Sequence, residues 1–125
     1  MDRTVGEVMT RDVVTAPTDA QVREVASDMA RHKISCVVIV GGGKPIGIVS
    51  ERDIVRLVAH KPNMLVGLTA REAMSSPVAT LTEGATIGEA LKLMRTRGYR
   101  RFPIVDKSGK LIGLVTQTTL LHALS

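Results

Sequence analysis

Apolar positions along the chain follow two alternating rhythms. Val22, Val25, Ala26 and Met29 recur at helical spacing, and Ile87, Ala90, Leu91 and Met94 repeat that stripe later on. Thr18 with Gln21, and Thr86 with Glu89, stand where a capping box would open each helix. Behind each stripe come two runs rich in β-branched residues, 36–40 and 46–49 in the first case, 102–105 and 111–115 in the second. Gly41-Gly42-Gly43 separates the first pair and Asp106-Lys107-Ser108-Gly109 the second, so each pair reads as a hairpin. A last helix follows in each half, over 52–59 and 118–124, and a short strand precedes the first helix, near 13–15 and 78–80. The predicted order is strand, helix, strand, strand, helix, written twice.

The two halves also agree residue by residue. Thr4 aligns with Thr69, Glu7 with Glu72, Met9 with Met74, Thr15 with Thr80, Glu24 with Glu89 and Met29 with Met94. After one extra residue in the second copy, Ile46 aligns with Ile112, Gly47 with Gly113 and Val49 with Val115. An internal repeat of this length defines the architecture: residues 1–60 form one copy and 61–125 the other, joined by the turn-rich His60-Lys61-Pro62-Asn63. At 125 residues the pair is large enough to bury a core without disulfides or a metal.

With this architecture, the opening Val5-Gly6-Glu7-Val8-Met9-Thr10 and the heptad Gly47-Ile48-Val49-Ser50-Glu51-Arg52-Asp53 resemble a tandem pair of cystathionine-β-synthase (CBS) domains, over about residues 4–121. The resemblance implies an α+β fold of two β-α-β-β-α repeats, related by a pseudo-twofold axis and packed through their sheets. It also implies clefts that take adenosine-containing ligands: AMP above all, with ADP, ATP or S-adenosylmethionine as relatives. The family signature is a glycine, two apolar residues, serine or threonine, two variable residues and aspartate. Gly47 to Asp53 fits throughout, whereas the second copy, which begins at Gly113, ends on Thr119 in place of the aspartate. Carried over by position, the first cleft would be lined by Ser50, Asp53, Ile34, Ser35, Cys36, Ala16 and Arg52. A weaker second cleft would be lined by Arg100, Arg101, Tyr99, Thr116 and Thr119.

The signature has a chemistry of its own. One carboxylate can accept both hydroxyls of a ribose cis-diol, which suits Asp53, and Ser50 stands at a strand-to-helix junction where free N–H groups favour a phosphate. Gly47 permits close approach, of a ligand or of a packed strand. The same Ser50-Glu51-Arg52-Asp53 is equally an ordinary helix cap with an acidic residue in the first turn. Thr119 lacks the bidentate carboxylate, so ribose recognition is expected to be weaker in the second copy.

Charge and composition narrow the partners. Seventeen basic against twelve acidic residues leave a net charge of +5, which favours anionic ligands. Arg95-Thr96-Arg97-Gly98-Tyr99-Arg100-Arg101 is the most basic stretch, and it keeps open a second reading, a structural or nucleic-acid-binding adaptor with empty clefts. Tyr99 and Phe102 are the only aromatic residues, however, and no zinc ligand set or P-loop accompanies the run. The scattered His32, His60 and His122 suggest neither metal site nor catalyst, and the repeated methionines suggest core. The chain is therefore expected to be a regulatory module and not an enzyme, with no metal and no cofactor beyond a regulatory nucleotide. The lone Cys36 in an apolar run and the absence of a long apolar stretch suggest a reducing, cytoplasmic setting away from membranes. Apolar helix faces suggest a homodimer that signals to a further, unidentified protein.

Overall fold

Residues 3–60 and 66–124 are described in a computed structural model. Its elements, in order, are α1 (Val5–Val8), β1 (Thr15–Pro17), α2 (Val22–His32), β2 (Cys36–Gly41), β3 (Lys44–Ser50), α3 (Glu51–His60), α4 (Ala70–Ala73), β4 (Leu81–Thr82), α5 (Ile87–Arg97), β5 (Arg101–Val105), β6 (Leu111–Thr116) and α6 (Gln117–Ala123). Both predicted helical stripes and both hairpins are present. Within each three-stranded sheet the short first strand runs parallel to the second, and the second and third pair antiparallel, in the orders β1-β2-β3 and β4-β5-β6. The fold class is α+β.

Some local expectations shift. The first strands lie later than the pattern suggested, at Thr15–Pro17 and Leu81–Thr82, because register sets Thr15 opposite Val38 and Leu81 opposite Ile104. Gly41 belongs to β2, leaving Gly42 and Gly43, both at positive φ, to make the turn. The Thr86–Glu89 capping box is formed, but no Thr18–Gln21 box exists. Gln21 is itself the N-cap of α2, without a side-chain cap bond, and its side-chain oxygen accepts from Arg23 Nε at 2.8 Å. The Thr18 carbonyl instead accepts the Arg71 N–H at 3.0 Å. Of the join between the repeats, His60 ends α3, and Lys61, Pro62 and Asn63 lie outside the described residues.

The two four-residue helices were not apparent in the hydrophobic pattern, since one turn is too short to show a stripe. Each is held by a capping box. Thr4 N–H donates to Glu7 Oε1 at 3.1 Å and Thr69 N–H to Glu72 Oε1 at 3.0 Å, with the threonine hydroxyls on the same oxygens. The Thr69 backbone bond, more than its hydroxyl, holds the Glu72 carboxyl below its ordinary range.

These opening segments decide how the chain divides in space. One unit is Val14–Val78, and the other joins the residues up to Val13 with those from Ala79 on. In the first, Ala70 N–H meets the Ala20 carbonyl at 2.7 Å and Val22 N–H the Leu68 carbonyl at 2.9 Å. In the second, Val5 N–H meets the Ala85 carbonyl at 2.8 Å and Ile87 N–H the Arg3 carbonyl at 2.9 Å. Each sequence repeat thus surrenders its first turn to the unit built mainly from the other repeat. Each unit has its own core, around Val25, Val37, Ile39 and Val49 in one and Phe102, Ile104, Val115 and Leu120 in the other.

A methionine follows each short helix and fills a notch over a strand. A Cβ added at Gly47 would lie 2.8 Å from Met74 Cγ and closer still to its sulfur, and one added at Gly113 would lie 2.8 Å from Met9 Cγ. Both are far inside van der Waals contact, so the glycines are required by methionine packing. Gly47→Ala should destabilise the protein by about 1–3 kcal/mol through overpacking. A double-mutant cycle followed by urea unfolding should show most of that cost gone when Met74 is alanine; equal costs in both backgrounds would contradict the notch.

Candidate functional site around Asp53

β3 runs directly into α3, and the pairing of β2 with β3 sets Cys36 opposite Ser50. The Ser35 carbonyl accepts the Glu51 N–H at 2.9 Å. Residues 35, 36 and 50 therefore meet the first turn of α3 at one end of the sheet, and Asp53 is the third residue of that helix.

Asp53 is the buried charged side chain among the described residues, 9% exposed. Burial of a carboxylate is tolerable only when its oxygens are hydrogen-bonded. Oδ2 accepts from Ser50 N–H at 2.8 Å and from Ser50 Oγ at 3.0 Å, while Asp53 N–H donates back to Ser50 Oγ at 3.3 Å. That reciprocal pair is a capping box, so the plain helix-cap reading of Ser50 and Asp53 is realised. Oδ1 accepts from Ser75 Oγ at 3.4 Å. The carboxylate thus already faces two hydroxyls, one on each oxygen, and three of its roughly four lone-pair positions are engaged.

Ser75 was not among the residues singled out from the sequence. It follows Met74 and forms an antiparallel bridge with Ile48, as its repeat partner Thr10 does with Leu114. The alignment of Thr10 with Ser75 was the available signal. Using it requires knowing that the segment after the first copy folds back onto that copy.

The other sequence-predicted residues are distributed as follows. Ala16 and Cys36 are buried, Ala16 within the core of the unit. Ile34 is half-buried and lines a groove between α2 and α3 with Ala26, Met29, Lys33, Glu51, Ile54 and Val55. Ser35 and Arg52 are exposed. Gly47 is occupied by Met74, so of its two predicted uses it serves packing.

The other unit repeats the backbone with different chemistry. Thr116 caps α6, accepting the Thr119 N–H at 3.2 Å, and the two hydroxyls pair at 3.0 Å. The Arg100 carbonyl accepts the Gln117 N–H at 2.9 Å, Arg101 pairs with Thr116 across the strands, and Tyr99 packs edge-on against Phe102. A neutral hydroxyl pair next to arginine replaces the buried carboxylate. All three histidines are exposed. No group of three potential metal ligands occurs among the described residues, nor does any described helix have the length and apolarity to cross a membrane.

With that geometry in place, the CBS-domain family model matches twice, over residues 5–60 and 70–125, and the chain belongs to the CBS-domain family. An uncharacterized protein of Methanopyrus kandleri, MK0525, is 48% identical over 120 residues, covering 94% of this chain and 61% of the relative. The chain thus spans about three-fifths of that relative's length. Inosine-5'-monophosphate dehydrogenase of Korarchaeum cryptofilum is 35% identical over 112 residues, 90% of this chain and 22% of the enzyme.

Among solved structures, the CBS-domain protein ATU1752 of Agrobacterium tumefaciens superposes with a TM-score of 0.87 at 27% identity, covering 98% of this chain and 99% of that one. The CBS domain pair of protein MJ0100, solved with 5'-methylthioadenosine and S-adenosylmethionine, gives 0.89 at 23% identity, with coverages of 99% and 97%. CBSX2, solved with AMP, gives 0.85 at 22% identity, with coverages of 98% and 96%.

The cap bonds predict a stability role for Asp53 without any ligand. Asp53→Ala, which strands the Ser50 N–H, should cost about 1–2 kcal/mol, and Asp53→Asn, which keeps one acceptor oxygen, distinctly less. Thr119→Ala loses only a neutral hydroxyl contact and should cost under about 1 kcal/mol. Thermal unfolding of the three variants checks this order; an Asp53→Ala protein as stable as wild type would contradict it.

Proposed function

We propose that this protein is a ligand-sensing regulatory module that binds an adenine nucleotide without altering it chemically. AMP is the favoured ligand, with ADP, ATP and S-adenosylmethionine as relatives. The single observation that carries the reading is the buried Asp53 carboxylate, met by one hydroxyl on each oxygen. A ribose cis-diol presents the same two donors to the same two oxygens, so it can displace Ser50 Oγ and Ser75 Oγ while the Ser50 N–H bond persists. Support also comes from the adenosine ligands of MJ0100 and CBSX2, whose fold this chain shares. Ser50, Ile34, Ser35, Cys36, Ala16 and Arg52 are proposed to surround the ligand. Thr116, Thr119, Arg100, Arg101 and Tyr99 would form a second, weaker site. Ligand and output are coupled if one arrangement of the module binds the nucleotide better, since differential affinity is what shifts such an equilibrium.

The test compares wild type with Asp53→Asn, which leaves the cap largely intact, in thermal shifts against AMP, ADP, ATP, S-adenosylmethionine and GMP. At a hundred times its dissociation constant a ligand adds about 2.7 kcal/mol, a rise of several degrees. Adenine ligands should raise the melting temperature of wild type but not of the variant. An equal rise in both would remove Asp53 from the site, and no rise with any ligand would refute the nucleotide reading.

A homodimer is part of this reading. The groove between α2 and α3 has an apolar floor, including Val55 at 66% exposure, with Lys33 and Glu51 among its lining residues. A twofold mate would cover the apolar surface of this groove with the same surface of its own copy. Val55→Asp should therefore yield a monomer in sedimentation equilibrium where wild type is a dimer; a monomeric wild type would rule the dimer out.

A further inference from the structure

The +5 net charge is unevenly placed. Lys92, Arg95, Arg97, Arg100 and Arg101 put five cations into ten residues that contain no acidic side chain. Lys92, Arg95, Arg97 and Arg100 are exposed, and none of these four ion-pairs with a described acidic residue. One or two cations are ordinary at the C-terminal end of a helix such as α5, where they oppose the helix dipole. Four exposed cations exceed that need.

The internal repeat supplies a control. At the equivalent positions of the other unit stand Ser27, Ala30, His32 and Ser35, and nearby Arg31 is held by Asp28 at 2.6 Å. The same helix and the same turn into a strand therefore form without these charges. The cations of the α5 end are not required by the fold.

Tyr99 lies in their midst. The residue is 40% exposed, and its ring meets the buried Phe102 edge-on, with centroids 5.6 Å apart. The core thus holds an accessible aromatic ring in place between Arg97 and Arg100. Cations that track a phosphate backbone, beside a ring on which a base can stack, are the two parts of a single-strand site. Three of the four exposed cations are arginines, whose planar guanidinium forks suit phosphate oxygens. An acidic polypeptide would use the charges but have no use for the ring.

We propose that the end of α5, with Lys92, Arg95, Arg97, Tyr99 and Arg100, is a binding site for single-stranded nucleic acid, separate in residues from the Asp53 site and sharing Tyr99 and Arg100 with the second, weaker nucleotide site. The site reads charge and base faces and not sequence, and one ring limits it to a single stacked base. Its affinity is accordingly modest and strongly salt-dependent.

The experiment is fluorescence anisotropy of a labelled oligothymidylate of about 20 nucleotides, titrated with the full chain at several salt concentrations. For single strands the log–log salt slope is about −0.7 per phosphate neutralised, so four cations give roughly −3, and Arg95→Ala with Arg97→Ala should bring it to about −1.4. Tyr99→Leu, which keeps an apolar contact on Phe102, should weaken binding about tenfold, whereas Tyr99→Phe should not. Asp53→Asn should leave oligonucleotide binding unchanged, so failure of the nucleotide reading and failure of this one are separable. The proposal is overturned if wild type shows no salt-dependent binding at about 50 mM salt, where such contacts are strong. It is also overturned if the arginine pair and Tyr99→Leu leave binding untouched, or if polyglutamate of matched charge displaces the oligonucleotide at equal concentration.

Discussion

Both units depend on a methionine seated over a strand where only glycine leaves room. Met74 over Gly47 and Met9 over Gly113 anchor segments that come from the neighbouring repeat, and without those segments neither unit has a complete set of walls. The anchor also positions chemistry. The residue after Met74 is Ser75, fixed by its bridge to Ile48, and its hydroxyl reaches Asp53. The first position of the signature heptad thus governs the last through a segment more than twenty residues away. A ligand has no claim on Gly47, because the protein fills that space itself.

The large features of the fold were legible in the sequence because periodicity is a property of long elements. The α2 and α5 stripes and the two hairpins each bury one face, and that demand is written into alternate or every third and fourth residue. The four-residue helices escaped because they are specified by caps, Thr4 with Glu7 and Thr69 with Glu72, and not by a stripe. The same reasoning credited Thr18 with a capping role, but α2 begins at Val22 with Gln21 as its N-cap, which leaves Thr18 three residues short of the cap position. At the site, the spacing of Ser50 and Asp53 showed the cap and the family signature showed the carboxylate receptor, and both readings describe the same atoms. Ser75 was hidden behind the exchange of segments.

Duplication has given two scaffolds and two chemistries. In one unit the third residue of the final helix is a buried carboxylate tied to its cap; in the other it is a threonine whose hydroxyl closes on Thr116. Conversely, one unit carries exposed cations at the end of its long helix where the equivalent positions of its counterpart carry serine, alanine and histidine. Neither change disturbs the strands or helices beneath, since caps tolerate either residue type and exposed helix ends tolerate either charge. Both differences lie where either residue type leaves the same backbone in place.

The exchange of segments also bears on how the molecule is made. Val14–Val78 is a continuous stretch and has all its parts once the ribosome has passed its end. The other unit is closed by partners far apart in the sequence: Arg3 Nη1 donates to the Ala123 carbonyl at 3.2 Å, a separation of 120 residues. Synthesis is vectorial, so the turn with Val5 and Met9, which end up buried, must wait roughly six to twenty-three seconds for the residues from Ala79 through Ala123 to be made. Its four-residue helix, polar cap and short apolar stretch make that wait tolerable, because so small an apolar surface offers little for aggregation to grip.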